Sequence, residues 1–122
     1  MKVLSIHPEY GMEILNDTKT EEYRTWTTKY RGDLLICNSA KKTHGAVASH
    51  ALCVAKTTGI EERYDGEQKY YAWVIAPFEE GGSYWIEPLK VKGQLKLFNV
   101  DDRLIKPAPF TNPFSKAGEQ WY

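Results

Sequence analysis

Apolar residues along the chain fall mostly in short runs, several with the two-residue alternation typical of β-strands. The run "KVLSI" at 2–6 predicts a first strand, and the nearly continuous run "LLICNS" at 34–39 predicts a buried one. Alternation and Val/Thr content in "GAVASHALCVAKTTG", at 45–59, favour a strand over a helix. The aromatic run "KYYAWVIAPF", at 69–78, predicts another strand.

One segment near the N-terminus has a helical pattern instead. Pro8 suits the first turn of a helix, where its missing N–H costs nothing, and Asn16-Asp17 is a plausible end. Four residues between them share one helix face, namely Tyr10, Gly11, Ile14 and Leu15. Residues 20–27 then turn to Thr, Tyr and Trp, which predicts an extended segment. Its two faces carry Glu22, Arg24 and Trp26 on one side and Glu21, Tyr23 and Thr25 on the other.

The second half of the chain continues the β pattern. "YWIEPLKVKGQLKLFNV", at 84–100, predicts two strands or one strand broken at Lys92-Gly93. "RGD", "YDGEQ" and "EEGGS" read as turns between strands, and the Pro-rich stretch 107–122 reads as irregular. The sum predicts a mainly β (α+β) fold, a small barrel of about six or seven strands with one short N-terminal helix.

The length of 122 residues fits one domain. The share of hydrophobic residues, 42%, and of charged residues, 26%, is that of a soluble globular protein. Cys37 and Cys53 lie in apolar runs without ligand spacing, which predicts buried free thiols in a reducing compartment. The apolar stretch at the N-terminus is too short for a signal sequence or a membrane span. We therefore expect a cytoplasmic protein without a membrane partner, as a monomer or weak dimer.

Charge is balanced in total but uneven along the chain. Sixteen basic residues match sixteen acidic ones, yet 19–42 holds six basic residues against three acidic ones. Between 61 and 80 the balance reverses, with six acidic residues against Arg63 and Lys69. Such polarity can make one face attractive to phosphate, and it can equally be two solvated charge runs. The sequence leaves both interpretations open.

Motifs for catalysis or metal binding are scarce. The three histidines, His7, His44 and His50, have no metal-ligand spacing, so we expect neither a metal nor a cofactor. No nucleophile elbow or glycine-rich phosphate loop occurs in the sequence. His7 precedes the predicted helix and could line a site there. Ser39 and Lys41 follow a predicted strand and could reach the same opening.

Four segments in order, "LSIHPEYGMEIL", "DTKTEEYR", "GDLLICNSAKK" and "YWIEPLKVKGQLKLFNVDDRLI", resemble the ASCH domain family, a branch of the PUA-like β-barrels. The resemblance covers residues 2–106, and we expect a domain over 1–106 with the tail 107–122 packed on it. The family signature G-x-K-x-x-E-x-R falls on 17–24. Lys19, Glu22 and Arg24 match the signature, whereas Asp17 stands in place of its glycine.

The resemblance implies a cleft beside the helix, lined by Lys19, Glu22 and Arg24, where the family is proposed to bind RNA. Some members look like small hydrolases: bacterial relatives deacetylate N4-acetylcytidine nucleosides with a Lys and a Thr three positions later, and one member has been described as a ribonuclease. In this chain Glu22 stands at the Thr position, and Thr20 would point elsewhere in an extended strand. Membership in such a family implies the fold more firmly than the activity.

The residue chemistry fits a ligand with both an anionic part and a base edge. Lys19 and Arg24 would contact phosphate or carbonyl oxygens, and Glu22 would accept from a base amino group. Stacking partners would be Tyr10, Trp26 or Tyr84. We expect binding of single-stranded RNA, a nucleotide or a modified nucleoside. The alternative is a small hydrolase, an acetylcytidine-type amidohydrolase or a ribonuclease, using Lys19 and Glu22.

A second basic cluster follows later in the chain. Lys90, Lys92 and Lys96 share one face if this stretch is a single strand, where they could extend a phosphate track or protect a strand edge. We also expect Lys19 and Arg24 to be exposed, so that replacing either with Ala changes stability by less than about 1 kcal/mol.

Overall fold

The described residues form one β-sheet with a single short α-helix, as the sequence predicts. The computed structural model describes residues 1–94 and 96–108. In chain order the elements are β1 Lys2–Ile6, α1 Pro8–Leu15, β2 Glu21–Arg24, β3 Gly32–Asn38, β4 His50–Asp65, β5 Gln68–Ile75, β6 Tyr84–Lys90, β7 Leu97–Asn99 and a 3-10 turn Asp102–Leu104. Of the ambiguous segment 45–59, residues 50–59 lie in β4, which confirms a strand rather than a helix, whereas residues 45–49 precede the strand.

The sheet is ordered β2-β5-β4-β3-β1-β7, and β6 pairs with β4 outside this path. β1 runs parallel to β3, and the other pairs are antiparallel. The long strand β4 pairs with β3 and β6 through its first half and with β5 through its second. No ladder joins the end strands β2 and β7 in the described residues, so hydrogen bonds do not close the predicted barrel.

Helix α1 ends in a Schellman motif, which fixes the direction of the chain into β2. The N–H of Thr18 donates to the carbonyl of Glu13, and the N–H of Asp17 donates to that of Ile14. Asp17 adopts a left-handed backbone with φ of 59°. The N–H of Lys19 also donates to Glu13. Lys19 is therefore held close to the end of the helix.

Alternate residues of β1 and β3 build two separate parts of the core. One part contains Leu4, Ile6, Leu34 and Ile36 and packs against α1 and Trp73. The other contains Val3, Leu35 and Cys37 and packs against Ile86 and Phe98. Since both faces of β3 are buried, its sequence is a continuous apolar run. Each buried side chain of this kind contributes about 1.5–3 kcal/mol.

Both cysteines are free and buried, as predicted. Burial raises the pKa of the Cys37 thiol to about 11 and also raises the pKa of Cys53. Among the residues that the structure describes, no helix is long and apolar enough to cross a membrane.

The stretch 84–100 forms two strands, and this corrects the expectation of a shared lysine face. β6 ends at Lys90 because its partner β4 begins at His50, the residue opposite Lys90. Residues 91–94 are not in a strand, so Lys92 and Lys96 do not continue the face of Lys90. Further on, the N–H of Ala108 donates to the carbonyl of Trp85. The rest of the tail lies outside the described residues, and the boundary at 106/107 stays a prediction.

Candidate ligand-binding site

Glu22 is the centre of a charged cluster on β2. Its Oε1 lies 3.8 Å from Nζ of Lys19 and accepts a 3.0 Å hydrogen bond from the N–H of Tyr23. Its Oε2 accepts a 3.3 Å hydrogen bond from Nη2 of Arg24. The structure therefore brings together the three residues of the predicted signature.

The cluster is more buried than the sequence analysis expected. The exposed fraction of the side chain is 14% for Lys19, 8% for Glu22 and 25% for Arg24. Glu22 lies opposite Trp73 of β5, on the face that turns toward the core. A mostly buried carboxylate depends on its cations more than a surface one does. The expected exposure of Lys19 and Arg24, and the expected effect of less than about 1 kcal/mol for replacing either, are therefore revised.

Arg24 also links β2 to β1. Its Nη2 donates to the carbonyl of Ser5 at 3.0 Å, although three strands separate β2 from β1 along the sheet. The sheet must curl to allow this contact. Nε of Arg24 is a buried donor without a hydrogen-bond partner in the described part of the chain, and so is Nε1 of Trp73.

Lys19 lies between two exposed tyrosines. Its Nζ is 5.2 Å from the ring centroid of Tyr10, on α1, and 4.6 Å from that of Tyr23, on β2. Tyr10 is 43% exposed and Tyr23 is 50% exposed, so both rings retain free surface. The sequence analysis missed Tyr23 because it lies on the opposite strand face from Glu22. The sequence did contain one signal for Tyr23, because it is an aromatic residue next to the motif residue Glu22 on a short strand.

His7 and Lys41 extend the site along the ends of β1 and β3. These strands are parallel, so the residues that follow them emerge at the same edge of the sheet. Nζ of Lys41 lies 3.4 Å from Nδ1 of His7, and the His7 ring is 6.1 Å from that of Tyr10. The N–H of Ser39 donates to the carbonyl of Ile6 at 2.8 Å. His7, Ser39 and Lys41 are thus near one another.

Two predicted stacking residues have other surroundings. Trp26 is half-buried and packs edge-to-face on Trp73, with ring centroids 5.0 Å apart. Tyr84 lines a separate cavity of about 600 Å³ together with Asp33, Glu79 and Glu80. Lys56 also lines this cavity, so three acidic side chains stand there against one basic side chain. Tyr10 is the predicted stacking residue that lies beside Lys19.

Glu21, on the other face of β2, belongs to a different network. It accepts two hydrogen bonds from Arg63 of β4, at 2.8 and 2.7 Å. Hydrogen bonding by Arg63 lowers the pKa of Glu21. The bond from Tyr23 to Glu21 in turn raises the pKa of Tyr23. This network lies beside the cluster and holds the Tyr23 ring near Lys19.

In the described residues, no group of three His, Cys, Asp or Glu side chains is placed to hold a metal ion. The fold and cluster together define a small, curled β-sheet domain with a Lys-Glu-Arg site beside its helix.

Comparison with known proteins agrees with this class. A family model described as "ASCH domain" matches residues 4–99. The crystal structure of ASCH from Zymomonas mobilis aligns with a TM-score of 0.62 and 14% identity, covering 84% of this chain and 88% of that one. A tyrosine-to-phenylalanine mutant of that protein aligns with a TM-score of 0.61 and 13% identity, over 83% of this chain and 90% of its own. No curated protein matches the chain by sequence.

The match of the family model spans most of the chain, so this protein belongs to the ASCH domain family. The likeness to the solved structures adds that the fold is shared. The leading glycine of the signature falls at Asp17, where φ is positive. Glycine suits this left-handed position, and Asp is one of the few other residues that adopt it readily. Asp17 in place of the signature glycine is therefore compatible with the same left-handed turn.

Proposed function

We propose that this ASCH domain protein binds single-stranded RNA, a nucleotide or a modified nucleoside at the cluster formed by Lys19, Glu22 and Arg24. The observation that carries the proposal is the half-buried Arg24, whose Nε is a buried donor without an acceptor in the described chain. A buried donor of this kind is costly unless an acceptor oxygen meets it. Carbonyl and phosphate groups of nucleotides supply such oxygens.

Each residue of the site has a role in the proposal. Arg24 donates to a ligand oxygen through the N–H groups that Ser5 and Glu22 leave free, because only its Nη2 bonds to them. Lys19 contributes positive charge beside the two tyrosines. Glu22 holds both cations in place and accepts from a base amino group with its remaining lone pairs.

The exposed ring of Tyr10 supplies the surface on which a base stacks. Stacking of one base on an aromatic side chain contributes about 1–3 kcal/mol. Because Lys19 lies over the same ring, a stacked base would also be close to its ammonium group. Lys41, beside His7, continues the positive edge from Tyr10 toward Ser39.

No described observation favours the hydrolase alternative over binding. The position of the amidohydrolase nucleophile is Glu22, which accepts two hydrogen bonds and forms an ion pair with Lys19. Thr20 is exposed, and its carbonyl accepts from Ile75. The proposal is therefore binding without turnover. The experiment measures both the affinity for RNA and whether the RNA is cleaved.

The test is the affinity of a short, labelled RNA of mixed sequence, measured by fluorescence anisotropy. Lys19→Met and Tyr10→Ala should each weaken binding about tenfold, as expected for loss of one stacked base or charge contact. The matched controls are Lys29→Gln and Tyr64→Ala, which remove an exposed lysine and an exposed tyrosine elsewhere. Equal affinities in all five proteins would refute the site, and shortened RNA at the end would favour the hydrolase.

A further inference from the structure

Another cavity, of about 630 Å³, is lined by Ser5 of β1 and by segments that follow β3 and β6. Its lining includes three serines and two lysines, namely Ser5, Ser39, Ser49, Lys90 and Lys92. Within the described chain it is lined by no Asp or Glu side chain. Neither lysine forms an ion pair with a carboxylate of the described residues. The cavity thus combines hydroxyl donors with two available ammonium groups.

The floor of this cavity is held by backbone hydrogen bonds. The N–H of Ser49 donates to the carbonyl of Ser39 at 3.0 Å, and the carbonyl of Ser49 accepts from Val91 at 3.1 Å. These bonds join the segments before β4, after β3 and after β6. Gly93 also approaches β1 closely, since a Cβ added there would lie 2.7 Å from Oγ of Ser5. These contacts therefore fix the positions of the segments that carry the serines and lysines.

Ser5 connects this cavity to the Lys-Glu-Arg cluster. Its side chain lines the cavity, while its carbonyl accepts the hydrogen bond from Arg24. Ser39 belongs to both regions, because it lines the cavity and follows the strand edge near His7 and Lys41. Ser39 therefore places the cavity beside the edge of the sheet that carries His7 and Lys41.

We infer that the cavity between Ser5, Ser39, Lys90 and Lys92 is a phosphate-binding subsite, so that the ligand of this protein is phosphorylated. Ammonium and hydroxyl donors around a cavity without carboxylates suit a phosphate oxyanion. The inference rests on the proposed function, in which the base of the ligand binds at Tyr10 and Arg24. It favours a nucleotide or an RNA segment over a neutral modified nucleoside.

The first arm of the test uses inorganic phosphate alone, so it does not depend on the proposed function. Titration of the labelled protein should shift the amide signals of Ser39, Ser49 and Gly93 in a saturable manner. The double variant Lys90→Gln/Lys92→Gln should lose these shifts, and Lys29→Gln should keep them. Shifts that are absent in the wild type, or that persist in the double variant, would overturn the subsite.

The second arm compares cytidine with cytidine 5′-monophosphate. The wild type should bind the nucleotide about tenfold more tightly, and the double variant should bind both ligands equally while retaining its affinity for cytidine. Nucleotide binding that the double variant leaves unchanged would refute the subsite and leave the proposed function standing. Phosphate shifts without binding of either cytidine ligand would support the subsite and refute the proposed function for cytidine ligands.

Discussion

Arg24 of β2 donates a 3.0 Å hydrogen bond from Nη2 to the carbonyl of Ser5 in β1, across the interior of the curled sheet. The same nitrogen donates to Glu22. One guanidinium therefore holds the sheet in its curled form and supplies the charge of the proposed site. A substitution at Arg24 or Lys19 should affect stability and binding together, whereas one at the exposed Tyr10 should act mainly on binding.

Replacing Arg24 with Ala should lower the free energy of unfolding by about 1–3 kcal/mol, because the mostly buried Glu22 and the Ser5 carbonyl both lose a charged donor. Urea denaturation measures the change. The control is Arg31→Ala, since the side chain of the exposed Arg31 bonds to the nearby carbonyls of Thr28 and Tyr30. A loss at Arg24 no larger than that at Arg31 would show that the bridge does not stabilise the fold.

Gly11 should not tolerate a methyl group, although Ala ordinarily stabilises a helix. A Cβ at Gly11 would lie 1.6 Å from Oδ1 of Asn38, which is buried and donates to the carbonyl of Val47. Overpacking of this kind costs about 1–3 kcal/mol. Thermal unfolding of Gly11→Ala should show a lowered Tm.

The control for this prediction is Gly59→Ala, where an added Cβ meets no atom within 4 Å. The double variant Gly11→Ala/Asn38→Ala should lose less stability than the sum of its single substitutions, since removing the Asn38 amide relieves the clash. Additive losses would mean that the helix does not pack against β3 in this manner.

Asp17 should respond to substitution as the left-handed residue of the Schellman motif. Asp17→Gly should raise the free energy of unfolding by up to about 1 kcal/mol, because glycine has no Cβ to strain at positive φ. Asp17→Val should lower it by about 1–2 kcal/mol. Urea denaturation of both variants measures whether Asp17→Gly is more stable than Asp17→Val. A valine variant as stable as the glycine variant would contradict the prediction.

The Glu21–Arg63 pair should contribute stability at neutral pH and lose it in acid. Because the pKa of Glu21 is lowered in the fold, its contribution is full above the ordinary value near 4.5 and disappears as pH falls through the lowered value. The pair is partly exposed, so the contribution should be below about 1 kcal/mol. Glu21→Gln should show a smaller loss of stability between pH 7 and pH 3 than the wild type. The exposed Glu67→Gln is the control, and equal losses in both variants would contradict the prediction.

The sequence predicted the elements well because most of them carry a local signal. Pro8 and the Asn16-Asp17 end delimit α1, and apolar runs delimit β1 and β3. The face shared by Glu22 and Arg24 also follows from the period of a strand. These features depend on neighbours in the chain.

Features that depend on curling of the sheet were not predictable from local patterns. The contact of Arg24 with Ser5 joins residues nineteen positions apart across three intervening strands, and it is the reason that the cluster is buried. The end of β6 at Lys90 depends on where β4 begins. Tyr23 lies beside Lys19 because the Lys19 side chain is long enough to reach past the strand.

Amide chemical-shift mapping of the labelled protein with a short, mixed-sequence RNA tests the central claim most directly. We expect shifts concentrated at Tyr10, Lys19, Glu22 and Arg24, with the RNA intact afterwards. Shifts confined to the acidic cavity around Tyr84 and Glu80, or no shifts at saturating RNA, would contradict the account.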